Sequence, residues 1–275
     1  MLRTFLKRKT ALLGIILLTI FAVNAGFAPI ISPYNPKTID SSKRLRGPDR
    51  SHMFGTDMFG RDVLSRILWG ARLSLIIGFS VSLSTALAGI LIGCIAGYFR
   101  RTGETIMRLN DILMAFPDIM LALAFGSVFR SQGLPKVILA LGCAYLPRMI
   151  RTVYSLTLKI ATLPYIEAAL AYGASHIRIL LRHLIPNVMS AVIVQASFVT
   201  AWAILAAASL DFLGVGLSPE IPSWGGMINE GRLYISIAPW IVVFPGMCIG
   251  MLALALNFIG DGLRDGLDPR LRRLL

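Results

Sequence analysis

The chain has 275 residues, 56% of them hydrophobic and 15% charged. Long apolar runs at this composition exclude an ordinary soluble domain and indicate an integral membrane protein. The formal net charge of +13 raises a nucleic-acid reading, but the basic residues lie between apolar runs, as membrane insertion requires, so lipid rather than nucleic acid is the expected partner.

The start, with Arg3, Lys7, Arg8 and Lys9 ahead of an apolar run, has the layout of a signal peptide. It lacks a small-residue cleavage pattern and is long enough to span, so it reads as an uncleaved first helix over residues 11–31. Pro29, Pro33 and Pro36 end it. Residues 32–72 form a polar loop in which Gly55 and Gly60 allow tight turns and Asp57, Arg61, Asp62, Arg66 and Arg72 can pair locally. A folded, self-satisfied loop at the membrane surface is favoured over a substrate contact. The second span, 73–99, carries Gly78, Ser80, Ser82, Ser84, Gly89, Gly93 and Gly97, small residues that let helices approach closely.

The third span, 112–128, contains Phe116-Pro117 and Asp118. An acid inside a membrane would mark function. The favoured reading starts the helix near Pro117, so that Asp118 sits in its first turn, where the helix dipole favours a carboxylate. Span four, 137–154, ends on Arg148 and Arg151. Span five, 188–213, ends in Asp211-Phe212-Leu213-Gly214-Val215-Gly216. A loop with Pro219, Pro222, Trp224 and Gly225 leads to span six, 240–259, and a basic tail. Cys94, Cys143 and Cys248 fall inside spans and read as small buried residues, and no Cys/His spacing reads as a metal site.

Residues 162–187 interrupt this apolar pattern. Thr162 can cap a helix that tolerates Pro164 in its first turn and runs through Glu167, Ala168 and Ala169 to Tyr172. Gly173 then stands where a left-handed C-terminal residue belongs, with Ala174 after it. Ser175 can cap a second short helix. Ile177, Leu180, Leu181 and Leu184 recur at helical spacing on one face of it, Arg178 and Arg182 share another, and Pro186 stops it. Both helices are shorter than the ~12–15 residues an isolated helix needs in water, so the pair requires something to dock against. A surface helix pair lying on the membrane and a docking element for a soluble partner are the two readings.

Glu167-Ala168-Ala169, Gly173 and Pro186, in this spacing, resemble the EAA loop of ABC importer permeases. His183 and Ile185 stand where that family has Ile and Leu. His183-Leu184-Ile185-Pro186-Asn187 is similar to the peptide/nickel branch in particular. Gly55-Thr56-Asp57, Gly60-Arg61-Asp62 and Ser65-Arg66 are similar to its C-type subunit, as are Arg264, Asp265, Asp268, Pro269 and Arg270 in the tail. Asp211 stands where the family more often has Ser.

The resemblance implies an all-α type I ABC importer permease fold with six transmembrane helices and cytoplasmic termini, in a bacterial inner membrane. It divides the chain into residues 1–72, a 73–262 core with coupling loop 162–187, and a 263–275 tail. It further implies a homologous second permease, two ATPase subunits and an extracytoplasmic substrate-binding protein. The coupling residues would be Glu167, Ala168, Ala169, Gly173, Ala174, Ser175, Arg178, Arg182 and Pro186. Charge counts favour a cytoplasmic N-terminus only modestly, because the 32–72 loop is itself rich in Lys and Arg.

No Gly-x-x-x-x-Gly-Lys-Ser/Thr, His-Glu-x-x-His or Ser/His/Asp constellation occurs, so the chain reads as no enzyme, with no cofactor or metal of its own and with ATP and Mg bound by partner subunits. Di- or oligopeptides are the expected cargo, with nickel or a nickel chelate as the alternative. A secondary transporter fits less well, because the spans nearly lack ionisable residues.

Overall fold

Residues 8–128 and 133–267 are described by a computed structural model. Arg3, Lys7, Arg130, Asp268, Pro269, Arg270, Arg272 and Arg273 lie outside them. Helix α1 (Lys9–Gly26) is followed by the short α2 (Ala28–Ile31), and α3 (Val63–Tyr98) is the longest element. Then come α4 (Arg100–Met114), α5 (Asp118–Val128), α6 (Leu134–Ala161), α7 (Pro164–Ala171), α8 (His176–Ile179), a π-helical turn (Leu180–Leu184), α9 (Ile185–Phe212), α10 (Trp224–Gly231) and α11 (Trp240–Leu267).

Five helices are long and apolar enough to cross a membrane: α1, α3, α6, the run His176–Phe212 containing α9, and α11. The third expected span differs. It is a broken element in which α4 and α5 meet at 98°. Pro117 is the cause, since it has no N–H to give and pushes Phe116 out of helical geometry. Asp118 does fall in the first turn of α5, as expected.

Expected boundaries shift where charged residues belong to helices. Helix α3 begins ten residues before position 73 and runs through the proposed division at 72. Asp62 caps it, its carboxylate accepting from the Ser65 N–H at 2.8 Å. Helices α6 and α11 likewise run past their apolar stretches, to Ala161 and Leu267.

The spans pack through small residues. On α3, Gly89, Gly93 and Gly97 recur every fourth residue and face Met149, Val153 and Thr157 of α6 at the same spacing. A Cβ at each glycine would lie 2.3, 2.7 and 2.6 Å from those side chains. Cys94 is buried in this seam and accepts from the Thr157 hydroxyl at 3.6 Å, while Cys143 and Cys248 are half-buried. Ser84, by contrast, is exposed.

One end of the bundle is capped by residues 32–62, α10 and the start of α11. Here the polar loop is folded on itself, as expected. Buried Asp57 accepts from Arg61 Nε at 2.6 Å and from Arg66 at 2.5 Å, and Glu230 of α10 accepts from both arginines, at 2.6 and 2.8 Å. Asp62 pairs with His52 (2.9 Å) rather than with an arginine, and Arg72 stacks on Trp69. The Trp240 and Trp224 indoles donate to the carbonyls of Thr56 and Ile67. Hydrogen bonds from Ser42 and Lys43 hold the Asp40 carboxyl below the usual carboxylate range, and Ser51 does the same for Asp49. At this end Asp211 is buried and accepts from the Leu217 N–H at 2.7 Å, closing the turn that follows α9. At the opposite end Arg8 pairs with Asp265, which places the start of α1 beside the end of α11.

Candidate functional site

Residues 162–187 lie at the Arg8–Asp265 end, between α6 and α9. Thr162 is not the cap expected of it. Its hydroxyl donates to the Lys159 carbonyl at the end of α6, and Leu163 occupies the N-cap of α7 without a side-chain bond. Pro164 fits the first turn of α7 because the missing N–H would be unbonded there in any case. Glu167 is also in that first turn and is exposed, with no ion pair among the described residues.

The end of α7 follows the expected geometry. Gly173 has φ +80°, its N–H donates to Leu170 O (2.9 Å), and the Ala174 N–H donates to Ala169 O (3.0 Å). These two bonds form a Schellman closure, which satisfies carbonyls the helix would otherwise leave open. Ser175 caps α8 as expected, its hydroxyl accepting from the Arg178 N–H at 3.4 Å.

The second helix departs from its expected phase and length. Ile177 and Leu181, expected on one face with Leu180 and Leu184, are 68% and 59% exposed, whereas Ile179 and Leu184 are fully buried. The buried pair is five residues apart. Five residues is also the span of the π-type hydrogen bond in the turn Leu180–Leu184, where the Ile185 N–H reaches back to Leu180 O. Pro186 therefore does not stop the helix. It has no N–H, and in an α-helix its ring would meet the carbonyl four residues earlier. The widened turn absorbs this, and one helical run continues from His176 to Phe212.

A small core seats the element. Ile166 of α7, Ile179 and Leu184 pack together with Tyr98 from the end of α3 and Ile160 from the end of α6. The Tyr98 hydroxyl lies 2.7 Å from His176 Nδ1. Ala169 and Ala174 are half-buried. Glu167, Ala168, Gly173, Ser175, Arg178, Arg182 and Pro186 face outward together.

Four apolar side chains of the same element are also exposed: Tyr172 at 93%, with Ile177, Leu181 and Tyr165. Helical phase places Ile177 and Leu181 on one face with Leu184, and the π turn Leu180–Leu184 separates them from it. Tyr172 carried a signal in its place next to the left-handed glycine, where a side chain is thrown clear of the helix. Apolar side chains exposed on a short two-helix element that also exposes Arg178, Arg182 and Glu167 suit a protein partner better than water. Among the described residues no group of three His, Cys, Asp or Glu side chains could hold a metal ion.

Residues 89–273 match the family described as binding-protein-dependent transport system inner membrane component, and residues 1–48 match the N-terminal TM domain of oligopeptide transport permease C. The dipeptide transport system permease protein DppC of Alkalihalophilus pseudofirmus is 40% identical over 97% of this chain and 88% of its own length. The glutathione transport system permease protein GsiD of Pectobacterium atrosepticum is 40% identical over 98% and 90%. A chain of the MetNI methionine ABC transporter, in a structure of its inward-facing conformations, shares the fold with a TM-score of 0.62 at 20% identity, over 74% of this chain and 97% of that one. On this fold and these relationships, the chain belongs to the binding-protein-dependent transport system inner membrane components and is a multi-pass permease subunit of a bacterial ABC importer.

Proposed function

We propose that residues 162–187 are the surface through which ATPase subunits drive this permease, and that the cargo is a di- or oligopeptide. The single observation that carries the coupling role is the exposed apolar group Tyr172, Ile177 and Leu181 on an element whose buried side grips the ends of three spans. The π turn joins that element without a break to α9, and the Tyr98–His176 contact ties it to α3. A push on α7 and α8 therefore moves α3, α6 and α9 together. In this reading two ATPases bind below, a homologous permease stands alongside, a substrate-binding protein delivers cargo from outside, and both termini are cytoplasmic. The Arg8–Asp265 pair supports termini on one side. The relatives named for dipeptide and glutathione transport support a peptide-class cargo.

Gly173 provides the test. A Cβ there meets nothing within 4 Å, so a substitution acts through the backbone alone. Gly173→Val puts a branched residue at φ +80°, at a cost on the order of 1–2 kcal/mol. That is too little to unfold the bundle and enough to misdirect a docking helix. Gly173→Asn, which tolerates the left-handed region, should behave close to wild type. The expected result is normal membrane insertion and permease pairing for both, with loss of ATPase co-purification and uptake for Gly173→Val and a smaller loss for Glu167→Ala. Full ATPase retention and uptake in Gly173→Val would return the element to a surface helix pair.

A further inference from the structure

A charged pair joins the start of α5 to the middle of α6 and takes no part in the element at the bundle's end. Arg148 is 14 residues from the start of α6 and 13 from its end, so it lies ~20 Å from each at 1.5 Å per residue. Its guanidinium meets the Asp118 carboxylate at 2.6 Å, where α5 begins after the Pro117 break. The pair is not sealed in a core. The Asp118 and Arg148 side chains are 27% and 38% exposed, and both line two cavities. One, of about 280 Å³, lies at the α4–α5 bend; the other, of about 580 Å³, is an open groove between α5, α6 and α9, lined by Tyr145, Trp202 and Ser209. The second is of the size that small-molecule sites occupy. Arg148 also lies over the Trp202 ring, 4.8 Å from its centroid. A third cavity, about 530 Å³, continues along the same two helices past Thr152, Gln195 and Phe198. These residues recur at steps of three or four with Arg148 on α6 and with Trp202 on α9, so the cavities follow one face of each helix.

Stability does not explain a half-open ion pair at this depth. An apolar pair would hold α5 to α6 at least as well, and charges within membrane-spanning helices are costly unless they serve a pathway. We propose that Asp118 and Arg148 form a binding site for zwitterionic cargo in its passage, Asp118 accepting from a peptide's terminal ammonium and Arg148 donating to its terminal carboxylate. This rests on the peptide reading above. The chemistry is an exchange of ion pairs. The protein pair opens, two new pairs form, and all four charges stay matched. A ligand with one terminus blocked leaves one protein charge unmatched, and the site rejects it. Trp202 keeps the guanidinium in place while its carboxylate partner is exchanged.

The experiment uses the assembled complex of this chain with its second permease and ATPases, in detergent and without the binding protein, so that only the permease reads the ligand. Ser209→Cys, in a background of Cys94→Ser, Cys143→Ser and Cys248→Ser, reports occupancy by its rate of maleimide labelling. The probes are dialanine, N-acetyl-dialanine and dialanine amide. Dialanine should protect at about tenfold lower concentration than either blocked form, the ratio expected for one charge-assisted contact. Asp118→Asn should remove the preference over the acetylated probe only, and Arg148→Gln the preference over the amide only. Arg148→Lys should restore part of it. A merely structural pair would weaken all three probes together. Equal protection by the three probes in wild type, or no protection by dialanine in a complex that imports it, would overturn the site and leave the cargo reading standing. Protection by dialanine in a complex that imports no peptide would support the site and refute the cargo reading.

Discussion

Arg66 is 1% exposed, and among the described residues its charge is matched by Asp57 and Glu230 alone. Removing one member of such a group leaves charge buried without a partner, which costs about 3–5 kcal/mol. Asp57→Ala should therefore lower the thermal unfolding midpoint of the purified chain sharply. Arg61→Ala should lower it less, because Asp57 and Glu230 still hold Arg66. An unchanged midpoint in Asp57→Ala would contradict this role for the network. Part of it is legible in the sequence: Asp57, Arg61 and Arg66 are close enough along the chain to meet. Glu230 is not, since it comes from 164 residues beyond Arg66 and no local pattern points to it. The same charges hid the start of α3. Arg66 and Arg72 look like loop residues until their partners are known, although Asp62 ahead of Ser65 carried a capping signal.

Among the elements, the seam between α3 and α6 depends on side chains that are absent. The glycines at 89, 93 and 97 are readable as a close-packing stripe, whereas Met149, Val153 and Thr157 as the facing row are not, because periodicity gives a face and never its partner. Gly93→Val would place new carbon atoms inside the Val153 side chain and force the helices apart, at about 1–3 kcal/mol. The expected outcome is a lower unfolding midpoint and poorer assembly with the second permease. The compensating Gly93→Val/Val153→Gly double variant should recover part of the loss. Equal stability of Gly93→Val and wild type would show that the seam gives way freely. Pro117 and Pro186 look alike in sequence and act differently. Pro117 breaks its helix because no wide turn precedes it, while the π turn at 180–184 carries the helix through Pro186. That distinction lies in the backbone around each proline rather than in the residue.

For the molecule as a whole, apolar runs located every span, and the broken third one was readable only as a proline beside an acid. The Asp118–Arg148 pairing that follows from the break needed α5 and α6 placed side by side. If residues 162–187 meet cytoplasmic ATPases, as proposed, the orientation of every span is fixed. Ser175 is exposed on that element and Met53 is exposed in the loop at the opposite end, whereas Ser223 is buried as the cap of α10 and makes a poor reporter. The most direct measurement is labelling of Ser175→Cys and Met53→Cys with a membrane-impermeant maleimide, in spheroplasts and then in permeabilised cells, with the native cysteines replaced. Met53→Cys should label in intact spheroplasts and Ser175→Cys only after permeabilisation. Labelling of Ser175→Cys from outside intact spheroplasts would contradict both the orientation and the coupling role.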